Sequence, residues 1–292
     1  MKRRKLAYSA LGALAVFTIF VWLAVFSIND NQLKVFFFDI GQGDAILFKK
    51  GTSEVLIDGG PSKKILEKLG DTLPFFDKKI EVIVLTHPDA DHLRGLIYVL
   101  RNFKVENVIT SGAKKDTQLF GLWREELKKE NAKIYEARAG DRIEYNGLVV
   151  NILSPDNFLI QNTKRINNSS IVAKIFYGKN SFLMTGDIEK GVEKSLVENG
   201  FNLEADILKV AHHGSKTSSA QSFIDAVQPK YAIISVGKDN KVGHPSSQVL
   251  EKLMAFKILR TDKDGDIVFI SDGQNLNLVN NDEDNNVNYQ HR

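Results

Sequence analysis

Ile80-Glu81-Val82-Ile83-Val84-Leu85-Thr86-His87-Pro88-Asp89-Ala90-Asp91-His92, continuing into Leu93-Arg94-Gly95-Leu96-Ile97-Tyr98-Val99-Leu100, passes from one structural period to another within a few residues. Ile80–Leu85 is a β-branched apolar run with the length of a buried strand, whereas Leu93–Leu100 spaces its apolar residues as a helix does. Between them stand His87, Asp89, Asp91 and His92, all able to bind a metal. Carboxylates held this close repel one another unless positive charge balances them, and a divalent ion supplies it. His87 and Asp89 can face one ion while Asp91 and His92, at the start of the helix, turn to a second. A solvated acidic turn with an aspartate helix cap is the plainer alternative.

Working outward, short β-rich runs precede this segment: Leu33–Phe38, Ala45–Phe48 and Glu54–Ile57, separated by Gly-Gln-Gly and Lys-Lys-Gly-Thr turn signals. Asp58 ends the third run before two glycines, where a carboxylate can hold the metal loop's amides or orient a ligand histidine. Asp44 flanks the Gly-Gln-Gly turn, which lacks the Gly-Lys-Ser/Thr ending of a phosphate loop and reads as architectural, with Asp44 at the site's edge. Downstream, Asp116–Glu130 is expected to be an exposed helix. Arg142–Leu153 and Ile171–Met184 are expected to be hairpins turning at Asn146-Gly147 and at Gly178-Lys179-Asn180. Strands at Ile207–Val210, Tyr231–Val236 and Ile267–Ile270 then alternate with helices at Ser219–Val227 and Ser246–Met254. Two halves that each combine sheet with helices predict a layered α/β sandwich.

The chain has six histidines and no cysteine, so thiolate zinc sites, iron–sulfur clusters, disulfides and cysteine nucleophiles are excluded. Any metal must sit on histidine and carboxylate. Asp187 ends an apolar strand at a glycine, so its carboxylate can project from the sheet edge. His212 and His213 follow another buried run and precede Ser215; adjacent side chains diverge, so one of the pair ligates, with His213 favoured and the other facing substrate. His244 lies in Gly-His-Pro-Ser-Ser, where Pro245 is expected to open a helix whose amides would receive an anionic group.

Removing Lys2, Arg3, Arg4 and Lys5 from the 39 basic residues leaves 35 against 36 acidic ones, so the body lacks a global polycationic footprint. Those basic residues precede an apolar run, Leu6 to Ile28, whose length suits a bilayer-spanning helix. The expected arrangement is a single-pass anchor over 1–30 with the body outside the cytoplasmic membrane; the alternative is a cleaved signal peptide, leaving a secreted body. Residues 31–275 are expected to form the folded domain, and the Asn- and Asp-rich stretch 276–292 a disordered polar tail.

The His-Pro-Asp-Ala-Asp-His segment resembles the His-x-His-x-Asp-His signature of the metallo-β-lactamase superfamily, with Asp89 in place of the second histidine. This variant is similar to the nuclease-like domain of the ComEC family of competence DNA-uptake proteins. The resemblance extends through Phe38-Asp39-Ile40-Gly41-Gln42-Gly43-Asp44-Ala45, Leu56-Ile57-Asp58-Gly59-Gly60, Asn167-Asn168-Ser169-Ser170, Leu183-Met184-Thr185-Gly186-Asp187, Val210-Ala211-His212-His213-Gly214-Ser215 and Gly243-His244-Pro245, in order over roughly residues 33–272. It implies an αββα four-layer sandwich holding one or two divalent ions, zinc or manganese, with Asp187 bridging them. Asn168 stands where the superfamily often has a histidine; an amide is a poorer ligand and suits substrate contact.

The implied chemistry is metal-assisted phosphodiester hydrolysis, with Asp91 orienting the attacking water and His244 binding substrate or protonating the leaving group. The implied partners are single-stranded DNA and a separate DNA-uptake channel protein, since this chain has no room for a multi-helix channel of its own. A phosphoesterase acting on another substrate and a metal-stabilised binding module without activity are the competing readings.

Overall fold

The structure, a computed structural model, describes residues 2–28 and 31–279. Six strands come first: β1 (Leu33–Phe37), β2 (Ile46–Lys50), β3 (Ser53–Ile57), β4 (Lys79–Leu85), β5 (Lys104–Thr110) and β6 (Lys133–Glu136). A second group follows: β7 (Arg142–Tyr145), β8 (Leu148–Ser154), β9 (Val172–Tyr177), β10 (Asn180–Met184), β11 (Ile207–Lys209), β12 (Tyr231–Ile234) and β13 (Lys257–Arg260). The chain then returns with β14 (Ile267–Ser271) and β15 (Leu276–Val279) to the first group. The result is an 8-stranded sheet ordered β15-β14-β1-β2-β3-β4-β5-β6 facing a 7-stranded sheet ordered β13-β12-β11-β10-β9-β8-β7.

The inner faces of the two sheets meet in one apolar layer that includes Phe37, Phe48, Phe182, Ile233 and Phe269. Helices α2 (Lys64–Thr72), α3 (Ala90–Asn102) and α4 (Gln118–Glu130) bury Ile65, Leu69, Leu96, Trp123 and Leu127 against the outer face of the first sheet. After the short α5 (Asn157–Asn162), helices α6 (Lys190–Glu198), α7 (Gln221–Val227) and α8 (Ser247–Leu253) cover the second. The layers run helix, sheet, sheet, helix, the order that the resemblance implied. β4 shows why its sequence carries no polar alternation: Val82 and Val84 face the inter-sheet layer while Ile80, Ile83 and Leu85 face α3. A strand buried on both sides must be apolar on both.

β3, β4, β5 and β6 are mutually parallel, as are β10, β11, β12 and β13. The loops that leave the carboxyl ends of parallel strands gather at one edge, and His87, Asp91, His92, Asp187, His213 and His244 are on such loops or the helix turns that follow them.

The structure departs from the sequence reading at several places. β15 extends the first sheet for 4 residues into the segment expected to be tail, because Leu276 and Leu278 alternate with asparagines and pack on the inter-sheet core. Residues 280–292, the remainder of that segment, lie outside the described ones. Pro245 does not open α8, which starts at Ser247 with the Ser246 hydroxyl accepting from the Val249 amide, so the expected anion-receiving helix start is not at the histidine.

The single-pass anchor requires correction. Lys2–Ile28 is helical (α1), but among the described residues no helix is long and apolar enough to cross a membrane. The membrane placement, and the extracytoplasmic localisation drawn from it, are therefore withdrawn.

Candidate metal centre

The site lies where the carboxyl edges of the two sheets meet. The first sheet contributes Asp44 from the β1–β2 turn, Asp58 after β3, His87 after β4, and Asp91 and His92 on the first turn of α3. The second contributes Asp187 after β10 and His213 after β11. Close backbone packing sets the registers. Gly59 donates its amide to the His92 carbonyl at 2.8 Å, and a Cβ on Gly95 would lie 1.7 Å from the Gly59 oxygen. α3 can therefore approach the Asp58 turn only because both positions are glycine. Likewise a Cβ on Gly43 would meet the Asp91 carbonyl at 2.2 Å.

Asp91, His92, Asp187 and His213 form the centre, each offering a ligand atom within 4.8 Å of the others. His92 Nε2 and His213 Nε2 both lie 3.3 Å from Asp187 Oδ2, and His213 Nε2 lies 3.4 Å from Asp91 Oδ2. His92 Nε2 and Asp91 Oδ2 are 3.9 Å apart.

Each of three histidines is oriented by its other nitrogen. His92 Nδ1 donates to Asp58 Oδ2 at 2.8 Å, and His213 Nδ1 donates to the Ser235 carbonyl at 2.8 Å. The Thr86 hydroxyl gives its one proton to Asp58 Oδ2 at 2.7 Å, so it accepts from His87 Nδ1 at 3.1 Å. In the neutral tautomer this leaves each Nε2 with a free lone pair. The buried Nε2 atoms of His87, His92 and His213, with Asp187 Oδ1, have no hydrogen-bond partner among the described residues. Buried polar atoms are rarely left without one, and a cation shared among them satisfies several at once. The residues thus fit a divalent ion held by Asp91, His92, Asp187 and His213.

His212 is placed differently. His212, His213 and Gly214 all adopt the left-handed region, with φ of 51°, 53° and 78°. Such a run is costly for residues carrying a Cβ, and strain of this kind collects at functional sites. It splays the two imidazoles apart: His213 points into the centre, while His212 Nε2 receives the Asn167 amide at 3.1 Å and its Nδ1 meets Thr217 Oγ1 at 3.2 Å. His212 stands edge-on to His244, ring centres 5.8 Å apart, and burial lowers the pKa of both, keeping them neutral. His244 is fixed by its backbone amide donating to Asn240 Oδ1 at 2.9 Å.

Three other expected site residues sit outside the cluster. Asp89 Oδ2 lies 3.9 Å from His87 Nε2, but Asp89 Oδ1 accepts from the Lys115 ammonium at 2.6 Å. The Asn168 carbonyl accepts the Glu189 backbone amide at 2.9 Å. Ser215 Oγ braces the Thr217 hydroxyl at 3.1 Å.

Sequence reading missed Lys209. Its side chain is fully buried at the end of β11, with Nζ 2.5 Å from Asp44 Oδ2 and 3.8 Å from Asp187 Oδ1. A lone lysine inside the apolar run Ile207-Leu208-Lys209-Val210 was the available signal.

Electrostatics without an ion follow from this packing. Burial, helped by the adjacent His92, pushes His87 down to about 4. Burial also disfavours charge on His213, yet Asp187 and Asp44 outweigh it and lift that pKa to about 10. His92 rises well above the ordinary range for the same reason, burial being overcome by Asp187, Asp58 and Asp91. Burial disfavours the charged form of Asp187 too, but the two imidazoles hold its pKa far below the ordinary carboxylate value. In the absence of an ion, two imidazolium protons occupy the place of its charge.

The model of the metallo-beta-lactamase superfamily matches residues 38–238, more than half of the chain. The chain belongs to the metallo-β-lactamase superfamily. It is 34% identical over 276 residues to ComE operon protein 3 of Bacillus subtilis (strain 168), a match covering 86% of this chain and 35% of that protein. It is 29% identical over 252 residues to competence protein ComA of Neisseria gonorrhoeae, covering 83% of this chain and 33% of that one. These relatives are ComEC-like competence proteins, and the chain spans about a third of their length. The crystal structure of the metallo-beta-lactamase fold protein YhfI from Bacillus subtilis superimposes with a TM-score of 0.55 at 14% identity, covering 82% of this chain and 100% of that one. At that identity the likeness speaks for the fold alone. The superfamily fold is that of metal-dependent hydrolases, and the cluster at its sheet edge is a candidate site for the metal.

Proposed function

We propose that the chain is a metal-dependent phosphodiesterase that acts on single-stranded DNA, in the setting its competence relatives suggest. The observation that carries the proposal is the charge around the centre. The loops after β5, β8, β11 and β12 open at the same edge as the metal ligands. They carry the exposed Lys114, Lys164, Lys216, Lys238 and Lys241, against the exposed Asp116, Asp156 and Asp239. In a chain whose body is near neutral, this local excess of lysine favours an anionic substrate long enough to touch several loops.

When bound, the ion supplies Lewis-acid polarisation and a lowered water pKa. The chain's own residues do the rest. Asp91, 35% exposed on its side chain and so reachable from solvent, orients the attacking water. His212 and His244, both neutral and half-buried, stand edge-on to one another, and the His244 ring N–H donates a hydrogen bond to a phosphoryl oxygen of the substrate. The rim lysines hold the flanking phosphates. Zinc or manganese is the expected metal, because the donor set is nitrogen and carboxylate oxygen. A DNA-uptake channel protein is the partner we propose.

The test is hydrolysis of labelled single-stranded DNA beside bis-p-nitrophenyl phosphate, with manganese or zinc added and Asp91→Ala as control. Metal-dependent cleavage of both, lost in the control, is expected. Cleavage of the small diester alone would move the substrate away from DNA, and cleavage of neither would favour a binding module held together by its metal.

A further inference from the structure

The donors of the two positions that the superfamily motif provides are used very unequally. At the first, Asp91, His92, Asp187 and His213 converge; the nearest ammonium, that of Lys209, stands 3.8 Å from Asp187 Oδ1 and is paired with Asp44, and Asp58 and Ser235 fix the imidazoles from behind. At the second, the available donors are His87 Nε2 and Asp89 Oδ2, 3.9 Å apart. The other Asp89 oxygen already carries the Lys115 ammonium at 2.6 Å. Asn168, the third residue of that position, has turned its carbonyl to the Glu189 amide, and its remaining NH2 is a donor that cannot bind a cation. Asp187 spends Oδ2 between His92 and His213, while its Oδ1 faces Lys209 at 3.8 Å.

We infer that the chain holds one divalent ion tightly, at Asp91, His92, Asp187 and His213, and that Lys115 is a built-in competitor that keeps the His87–Asp89 position from holding a second ion with comparable affinity. A divalent ion there would bind a carboxylate shared with an ammonium and would feel that ammonium's charge across a few ångströms of partly desolvated space. Lys115 is itself partly exposed, at the tip of the loop after β5, so it can move aside when an anion draws it away. Lys115 thereby ties occupancy of the second position to whatever anionic group enters the mouth. The inference rests on the metal reading of the site but not on the nature of the substrate.

The test is calorimetric titration of the metal-stripped full chain with Mn2+, with electron paramagnetic resonance distinguishing isolated from exchange-coupled ions. The wild type is expected to take one ion, with any second step weaker by about a hundredfold or more, and to show no coupled signal at two equivalents. Lys115→Met should bring the second step to within about tenfold of the first and produce the coupled signal. Asp89→Asn should keep the tight ion, and Asp91→Asn should lose it. Two ions of equal affinity in the wild type, a Lys115→Met titration that matches the wild type, or loss of the tight ion in Asp89→Asn would each overturn the inference. Failure of the wild type to bind any ion would overturn both this inference and the metal reading, whereas failure to cleave DNA would leave it standing.

Discussion

Lys209 offers the sharpest test of how the centre is held together. Its side chain and that of Asp44 are 1% and 2% exposed, and they form an ion pair behind the metal ligands. Truncating one member of such a pair leaves the other charged and dry, a loss of about 3–5 kcal/mol. Lys209→Met should therefore destabilise the metal-stripped protein by about that amount. Asp44 would be left facing only His92 Nδ1 at 3.8 Å and His213 Nδ1 at 3.5 Å. For a domain of this size the melting temperature should fall by roughly 6–20 °C. The double variant Asp44→Asn/Lys209→Met removes both charges, so it should recover much of the loss. Urea unfolding followed by circular dichroism, run as a double-mutant cycle, measures the coupling directly. A single-variant loss below about 1 kcal/mol, or strict additivity in the double variant, would refute the argument that the pair is a coupled buried unit.

Other outcomes follow from the same geometry. Asp58→Ala removes the acceptor of His92 Nδ1 and should weaken Mn2+ binding by about 10–100-fold in a chelator competition; unchanged affinity would show that Asp58 does not orient the ligand. His213, at about 10 without an ion, and His92, also raised, must both give up protons to ligate. Apparent metal affinity should thus rise with pH by about a hundredfold per unit between pH 6 and 8, and a flat profile would contradict this. Burial raises Glu193 to about 7 from 4.5 even though it accepts from the Ser219 and Ala220 amides. Because the folded value is the higher one, its stabilising contribution is complete below pH 4.5 and is lost as pH rises through about 7. Relative to Glu193→Gln, the wild type should lose up to about 3 kcal/mol between pH 4.5 and 8, and parallel urea midpoints across that range would exclude the effect.

What could be read from the sequence was governed by how locally each feature is determined. β4, its loop and α3 were legible because strand period, helix period and the polar loop fall within one short stretch. The hairpins at Asn146-Gly147 and Gly178-Lys179 were legible because glycine with a positive φ marks such turns. β6 and β13 were not, because these short edge strands begin with Lys133 and Lys257 and take their conformation from a neighbouring strand rather than from their own pattern. α2 escaped for a similar reason: its two buried residues, Ile65 and Leu69, are too few to set a period. In the site, the motif residues could be found by spacing, but Lys115 and Lys209 acquire meaning only from contacts across 26 residues and across the two sheets. The divergence of His212 from His213 was expected; the left-handed backbone that produces it was not.

β1 enters the first sheet at Leu33, paired with Lys50 and Ser271, and runs toward the turn that carries Asp44. Its start lies at the pole away from the metal centre, roughly 17 Å along the strand. The described part of α1 reaches the same pole, where Phe20 meets Phe75, edge to face with ring centres 6.4 Å apart, just ahead of β4. The N-terminal helix therefore packs behind the metal centre, on the face away from the ligand loops. The edge that carries the metal ligands is left open, and a long flexible substrate of the proposed kind can reach it without passing α1.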